Sequence, residues 1–201
     1  YYELNGTKLD NYKTLDHGFD FYAAQTFSGS NRSILIAWMG MPDAEYQTPT
    51  ESENWMHALT LPRELSFNGC IRQYPIQEIL DLREHEEKYG NDFKTTKFSS
   101  MDMDIHDEFE LRMNDMVLSY REKLLTLDLS KCGCGRIKRH IEGIDISNIS
   151  IFIDISSIEI FVNKGEYVMT SRYFDNHNDM CVKFDGIEEI VAYKMKGFEI
   201  K

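Results

Sequence analysis

Two carboxylates, Asp16 and Asp20, stand close together in LDHGFDFYAAQTF (residues 15–27), with Tyr22 just behind them and Trp38 further on in ILIAWMG. Acids beside an aromatic ring suit glycoside hydrolysis. One carboxyl protonates the leaving oxygen, the other attacks the sugar or activates water, and the ring receives the sugar's apolar face. Spacing tests the idea. Such a couple needs about 5 Å between carboxyls for retention, or about 6.5–9.5 Å for inversion. An extended chain would hold Asp16 and Asp20 roughly 13 Å apart. The pair therefore fails as a catalytic couple unless Gly18 kinks the chain. Asp16 is expected instead to bond a turn where a strand begins, and Asp20 to bond a neighbouring blade or loop.

Other chemistries fare no better. There is no G-x-S-x-G nucleophile turn and no glycine-rich phosphate loop. MDMDIHDEFE (101–110) gathers Asp102, Asp104, Asp107 and Glu108 but lacks the glycine and terminal glutamate of a calcium loop, so it reads as a solvated loop. Cys132 and Cys134 sit together in KCGCG, while Cys70, Cys181 and six histidines are scattered without zinc-ligand spacing. Free thiols in a reducing cytoplasm are expected, with no metal and no cofactor. On residue type alone Trp38 serves equally as a core aromatic or a sugar platform. Arg63, in LPREL, reads as a structural ion pair rather than an anion contact.

Thirty-four acidic against twenty-two basic residues give a net charge of −12. Nucleic acids and anionic membranes require a basic footprint, so neither is an expected partner. No apolar run reaches the roughly 18 residues of a membrane span.

The elements that must position these residues are strands. Phe19 to Phe27 and Ile34 to Met39 are aromatic and β-branched, with SGSNR as a turn between them. ALTLPRELSF and CIRQYPI flank Asn68-Gly69, a strong hairpin signal. This first part reads as a meander, compatible with a sandwich, a barrel or a propeller blade. All four prolines and both tryptophans lie within it. The charged stretch QEILDLREHEEKYGND (77–92) divides it from the rest, with a helical turn or two and a Gly90-Asn91-Asp92 breaker.

The second part is also β. Ile149, Ile151, Ile153 and Ile155 share one face at period two, and the apolar parity shifts to Ile158, Ile160 and Val162 across Ser156-Ser157, which marks a turn. Asn163-Lys164-Gly165 makes the next turn, so residues 149–174 form a three-strand meander. FELRMND, MVLSYR, KLLTLDLS and the C-terminal stretch add further strands, and together they predict a β-sandwich of two packed sheets.

DHGFDFYAAQTF, RSILIAWMG, WMHALTLPREL and ISIFIDISSIEIFVNKGEYVMTSRYF occur in this order across nearly the whole chain. Together they resemble the second half of glycoside hydrolase family 32, the β-fructosidases that include invertases and sucrose-6-phosphate hydrolases. The resemblance implies an all-β fold, the last part of a five-bladed β-propeller followed by a C-terminal β-sandwich. It places the propeller part at 1–80, a linker at 81–91 and the sandwich at 92–201.

The family's chemistry is a retaining double displacement at the fructose C2. It uses an aspartate of an Asn-Asp-Pro motif, a glutamate of a Glu-Cys motif and an aspartate of an Arg-Asp-Pro motif. None of these motifs occurs here, so the resemblance implies no catalytic residue in this chain. YYELNGTKLD reads as the interior of a longer protein whose earlier part carries them. What carries over is the wall of a sugar pocket: Trp38, then Tyr22, with Asp20 on the same strand region. The implied partners are sucrose-6-phosphate, sucrose or other fructosides, with a second copy of the chain as a homodimer partner. The implied location is cytoplasmic. The alternative expectation is a non-catalytic carbohydrate-binding or oligomerising sandwich module.

Overall fold

The computed structural model describes residues 1–5, 7–29 and 31–197. A short hairpin of β1 (Glu3–Asn5) and β2 (Lys8–Asp10) precedes the first sheet. That sheet holds β3 (Tyr22–Thr26), β4 (Ile34–Met39), β5 (Ala58–Leu59), β6 (Arg63–Phe67) and β7 (Ile71–Pro75). Its order is β3-β4-β6-β7, with β5 also paired to β4. The Asn68-Gly69 turn joins β6 to β7 in the register Phe67↔Ile71. One helical turn, α1 (Gln77–Leu80), follows.

The remaining strands are β8 (Arg83–Tyr89), β9 (Phe93–Thr96), β10 (Ser99–Asp104), β11 (Phe109–Met113), β12 (Met116–Arg121), β13 (Leu124–Asp128), β14 (Lys138–Glu142), β15 (Asn148–Asp154), β16 (Ser157–Val162), β17 (Tyr167–Arg172), β18 (Asp179–Asp185) and β19 (Ile190–Met195). They build two six-stranded sheets, β17-β16-β15-β10-β19-β8 and β14-β13-β12-β11-β18-β9. Period-two alternation drives Met101, Met103, Ile149, Ile151, Ile153, Ile158 and Ile160 from one sheet into a shared core. Leu111, Met113, Leu118, Leu125 and Leu127 meet them from the other. This is a sandwich of two open sheets. Among the described residues no helix is long and apolar enough to cross a membrane.

The outer face of the first of these sheets is not solvated. Phe152, Phe161 and Val168 point away from the core and pack with Ile79, Leu61, Tyr74 and Ile76. That explains why β15 and β16 are apolar on both faces: one face fills the sandwich and the other seats the first sheet.

Three local expectations are corrected. Ile155 leaves the isoleucine face and is exposed, because the two-residue turn falls at Ile155-Ser156, one position earlier than the parity shift suggested. MDMDIHDEFE is not a solvated loop: its first half lies in β10, with Met101 and Met103 inward and Asp102 paired to Arg83 at 2.7 Å. Residues 81–91, expected as a linker, contain β8, which pairs with β19 at the sheet edge. Its charged residues suit an edge strand, where charge discourages further pairing.

Candidate functional site

The expected strand from Phe19 begins only at Tyr22. Residues 16–20 instead dock on the free edge of β17. His17 N donates to Val168 O at 2.7 Å and Asp20 N to Thr170 O at 3.0 Å. The two carboxylates complete the pairing. Asp16 Oδ1 accepts from the Gly18 and Thr170 amides, both at 2.9 Å, and Asp20 Oδ2 accepts from the Arg172 amide at 2.8 Å. The segment thus satisfies an edge that would otherwise present unpaired N–H and C=O groups.

The turn at Gly18 overturns the extended-chain distance. The two amides that the carboxylates bind are two residues apart on β17, about 7 Å of strand. Burial, rather than spacing, is what sets the pair apart from solvent. Asp16 and Asp20 side chains are both fully buried and ion-paired.

Asp16 belongs to a network centred on Arg63, which is fully buried. Arg63 Nη1 reaches Asp16 Oδ2 at 3.1 Å and Gln73 Oε1 at 2.8 Å, while Nε and Nη2 both bond Glu159 Oε2 and Nη2 also bonds Thr170 Oγ1. Burial pulls the Arg63 pKa down, but Glu159 and Asp16 more than offset it and hold the guanidinium charged. Glu159 itself is raised by burial despite Arg63. Asp20 receives a two-pronged bond from Arg136, at 2.6 and 2.7 Å. Both acids therefore join the first sheet to the sandwich. Asp20, expected to touch sugar, has no surface with which to do so.

Tyr22 and Trp38 behave differently. They are register partners across β3 and β4, half-buried to exposed, with ring centroids 6.0 Å apart. Ala23 adopts φ +48° where the register shifts, a bulge that re-aims the strand beside Tyr22. His57 packs edge-on against Trp38 at 4.7 Å. These three rings form one open aromatic wall, suited to stacking a sugar's C–H face.

Gly40 lies under that wall. A Cβ there would fall 2.5 Å from Trp38 Cε2 and 2.7 Å from His57 Nδ1. Gly40→Ala is expected to tilt both rings and to cost about 1–3 kcal/mol, since the crowded atoms belong to side chains that can shift. A changed Trp38 emission spectrum with a lowered urea midpoint checks this. An unchanged spectrum would refute it.

A hollow of about 540 Å³ lies elsewhere, beside Tyr74, Asp102, Asp104, His106, Glu188 and Glu189. It is open and acidic, and its lining tyrosine, Tyr74, is packed edge-on against Phe161 at 5.6 Å with its hydroxyl bonded to Ser150 Oγ at 2.7 Å. Among the described residues no three His, Cys, Asp or Glu side chains converge as a metal site. All four cysteines are free thiols, and burial pushes Cys132 up to about 12.

Sequence reasoning missed His57, Gly40, Glu159 and Arg136. Glu159 carried a signal: a lone acid inside the apolar run SIEIFV requires a buried partner.

Comparison with known proteins gives matches along most of the chain. The profile of the glycosyl hydrolases family 32 N-terminal domain matches residues 2–75, and that of the family 32 C terminal matches residues 87–196. The sucrose-6-phosphate hydrolase of Staphylococcus xylosus is 36% identical over 90% of this chain and 42% of its own length. That of Bacillus subtilis (strain 168) is 35% identical over 92% of this chain and 41% of its own. The structure of sucrose-6-phosphate hydrolase from Lactobacillus gasseri superposes with a TM-score of 0.75 at 25% identity, covering 94% of this chain and 43% of that one. A family 32 β-fructofuranosidase from Bombyx mori also gives 0.75, at 26% identity, covering 94% of this chain and 44% of its own. The chain therefore spans less than half the length of these relatives.

Proposed function

From the premise that this chain belongs to glycosyl hydrolase family 32, we propose that it is part of a β-fructosidase acting on sucrose-6-phosphate, sucrose or related fructosides and releasing fructose. The observation that carries this is the open wall of Tyr22, Trp38 and His57, set on the sheet matched by the family's N-terminal profile. Tyr22 and Trp38 receive the fructosyl ring. Asp20 belongs to the scaffold behind them.

The reacting carboxylates are supplied by residues outside this sequence. None of the family's three acid motifs occurs in it, and the acids nearest the wall in sequence are buried in ion pairs. The propeller part ends near residue 80, and the sandwich takes in the strand at 83–89. A cytoplasmic setting fits the four free thiols.

Two measurements test the reading. A family-length protein containing these residues is expected to hydrolyse sucrose-6-phosphate, whereas the 201-residue chain is expected to have no turnover. Trp38→Ala in the longer protein is expected to lower kcat/KM about tenfold, the size of a lost aromatic stacking contact. Hydrolysis by the short chain, or an indifferent Trp38→Ala variant, would refute the proposal. Saturable sugar binding that survives Trp38→Ala would point instead to a binding module on the sandwich.

A further inference from the structure

We propose that two sandwich arginines, Arg136 and Arg172, are positioning residues that set the aromatic wall across the contact between the two parts. The inference rests on reading that wall as the sugar-facing surface. Two of the three segments that deliver a ring to the wall, those of Tyr22 and His57, are tied to one of them just before the ring.

Tyr22 follows Asp20 by two residues, and Asp20 receives both prongs of Arg136 and the backbone N–H of Arg172. His57 follows Met56, whose carbonyl accepts Arg172 Nη1 at 3.0 Å. The same guanidinium lies 5.2 Å from the Trp55 ring and bonds Ser156 O and Oγ at 2.8 and 2.9 Å. Arg136 also grips the loop that leads to His57. Its guanidinium lies 4.4 Å over Tyr46, its Nη1 donates to Gln47 O, and Gln47 N donates back to Cys134 O at 3.0 Å.

The KCGCG turn, which had no role in the sequence reading, is what brings Arg136 there: Arg136 Nη1 bonds Gly133 O at 3.1 Å, folding the guanidinium against its own loop. A two-pronged arginine–carboxylate bond fixes direction as well as distance, so the sandwich dictates the course of the chain into Tyr22. With Tyr22 and His57 both held, Trp38 is bracketed on two sides.

The test uses a Trp55→Phe background, which leaves Trp38 as the sole tryptophan. Arg136→Met is expected to shift Trp38 emission to the red and raise its quenching by acrylamide, with far-UV circular dichroism unchanged. Arg83→Met breaks a different sandwich ion pair, with Asp102. It is expected to lower the melting midpoint without moving Trp38 emission. Should Arg136→Met fail to fold, Asp20→Asn removes the charge, keeps the shape and is expected to give the same red shift. A lowered midpoint with parental Trp38 emission, in whichever of the two variants folds, overturns the proposal. Titration with sucrose-6-phosphate separates the two readings. A red-shifted variant of a parent that ignores the sugar keeps the positioning role and removes the sugar wall. A parent that responds to the sugar, with an Arg136→Met variant of unmoved emission, does the reverse.

Discussion

Arg63→Met is expected to destabilise the fold by about 3–5 kcal/mol, the cost of removing one partner from a buried ion pair. Arg63 is fully buried and bonds Glu159, Asp16, Gln73 and Thr170 together. Its loss leaves Glu159 as a buried carboxylate whose remaining hydrogen bond comes from the Leu61 amide at 2.7 Å. Urea denaturation followed by fluorescence measures the cost. Arg63→Met/Glu159→Leu is expected to recover part of it, because an apolar pair leaves no uncompensated charge.

The deficit should depend on pH. Glu159 already sits above its ordinary value of 4.5 through burial, and Arg63 is among the groups restraining it. Without Arg63 it rises further. A carboxyl with a raised folded-state pKa binds more protons folded than unfolded, so its contribution is most favourable below the unfolded value and is lost as pH climbs through the folded one. The Arg63→Met deficit should therefore be smallest below about pH 4.5 and grow toward neutrality. A deficit independent of pH would mean that Glu159 is not the group left stranded.

How far the sequence could foretell this differs between fold and site. The sandwich strands were legible because one packed face imposes period two, as with Ile149, Ile151 and Ile153, and because the turns carry their own residue types: Asn163 and Lys164 take φ of +51° and +54°. β8 was illegible for the opposite reason, since an edge strand of charged residues such as REHEEKY shows no apolar alternation. The ion pairs were out of reach for any local rule. Arg63 and Glu159 lie 96 residues apart, and Arg136 and Asp20 lie 116 apart. Asp16 and Asp20 show the limit most clearly. Their types and spacing pointed to chemistry, and even the distance that counted against them came from an extended chain that Gly18 does not follow. What decides their role is β17, a strand some 150 positions away whose unpaired edge they close.

That closure makes Gly18→Ala the second large effect. A Cβ at residue 18 would lie 2.0 Å from Thr170 O and 2.2 Å from Thr170 N. These are backbone atoms of a paired strand, held on the far side by β16 in the register Glu159↔Thr170, so the docking segment must give way and not the sheet. Its retreat forfeits the His17–Val168 and Asp20–Thr170 hydrogen bonds and loosens both carboxylates from β17. At about 0.5–1.5 kcal/mol for each neutral bond and more for the charged ones, a loss on the order of 4 kcal/mol follows. Gly90→Ala is the control, because its Cβ would meet nothing nearer than Glu188 O at 3.7 Å. It is expected to be neutral or slightly stabilising. Hydrogen exchange gives the sharper reading: in Gly18→Ala the amides of Thr170 and Arg172 should lose protection, while Met169, which pairs with Ile160 on the other edge, keeps it. Uniform loss along β17 would mean that the whole sheet had loosened, and the edge-closing role of residues 16–20 would fall.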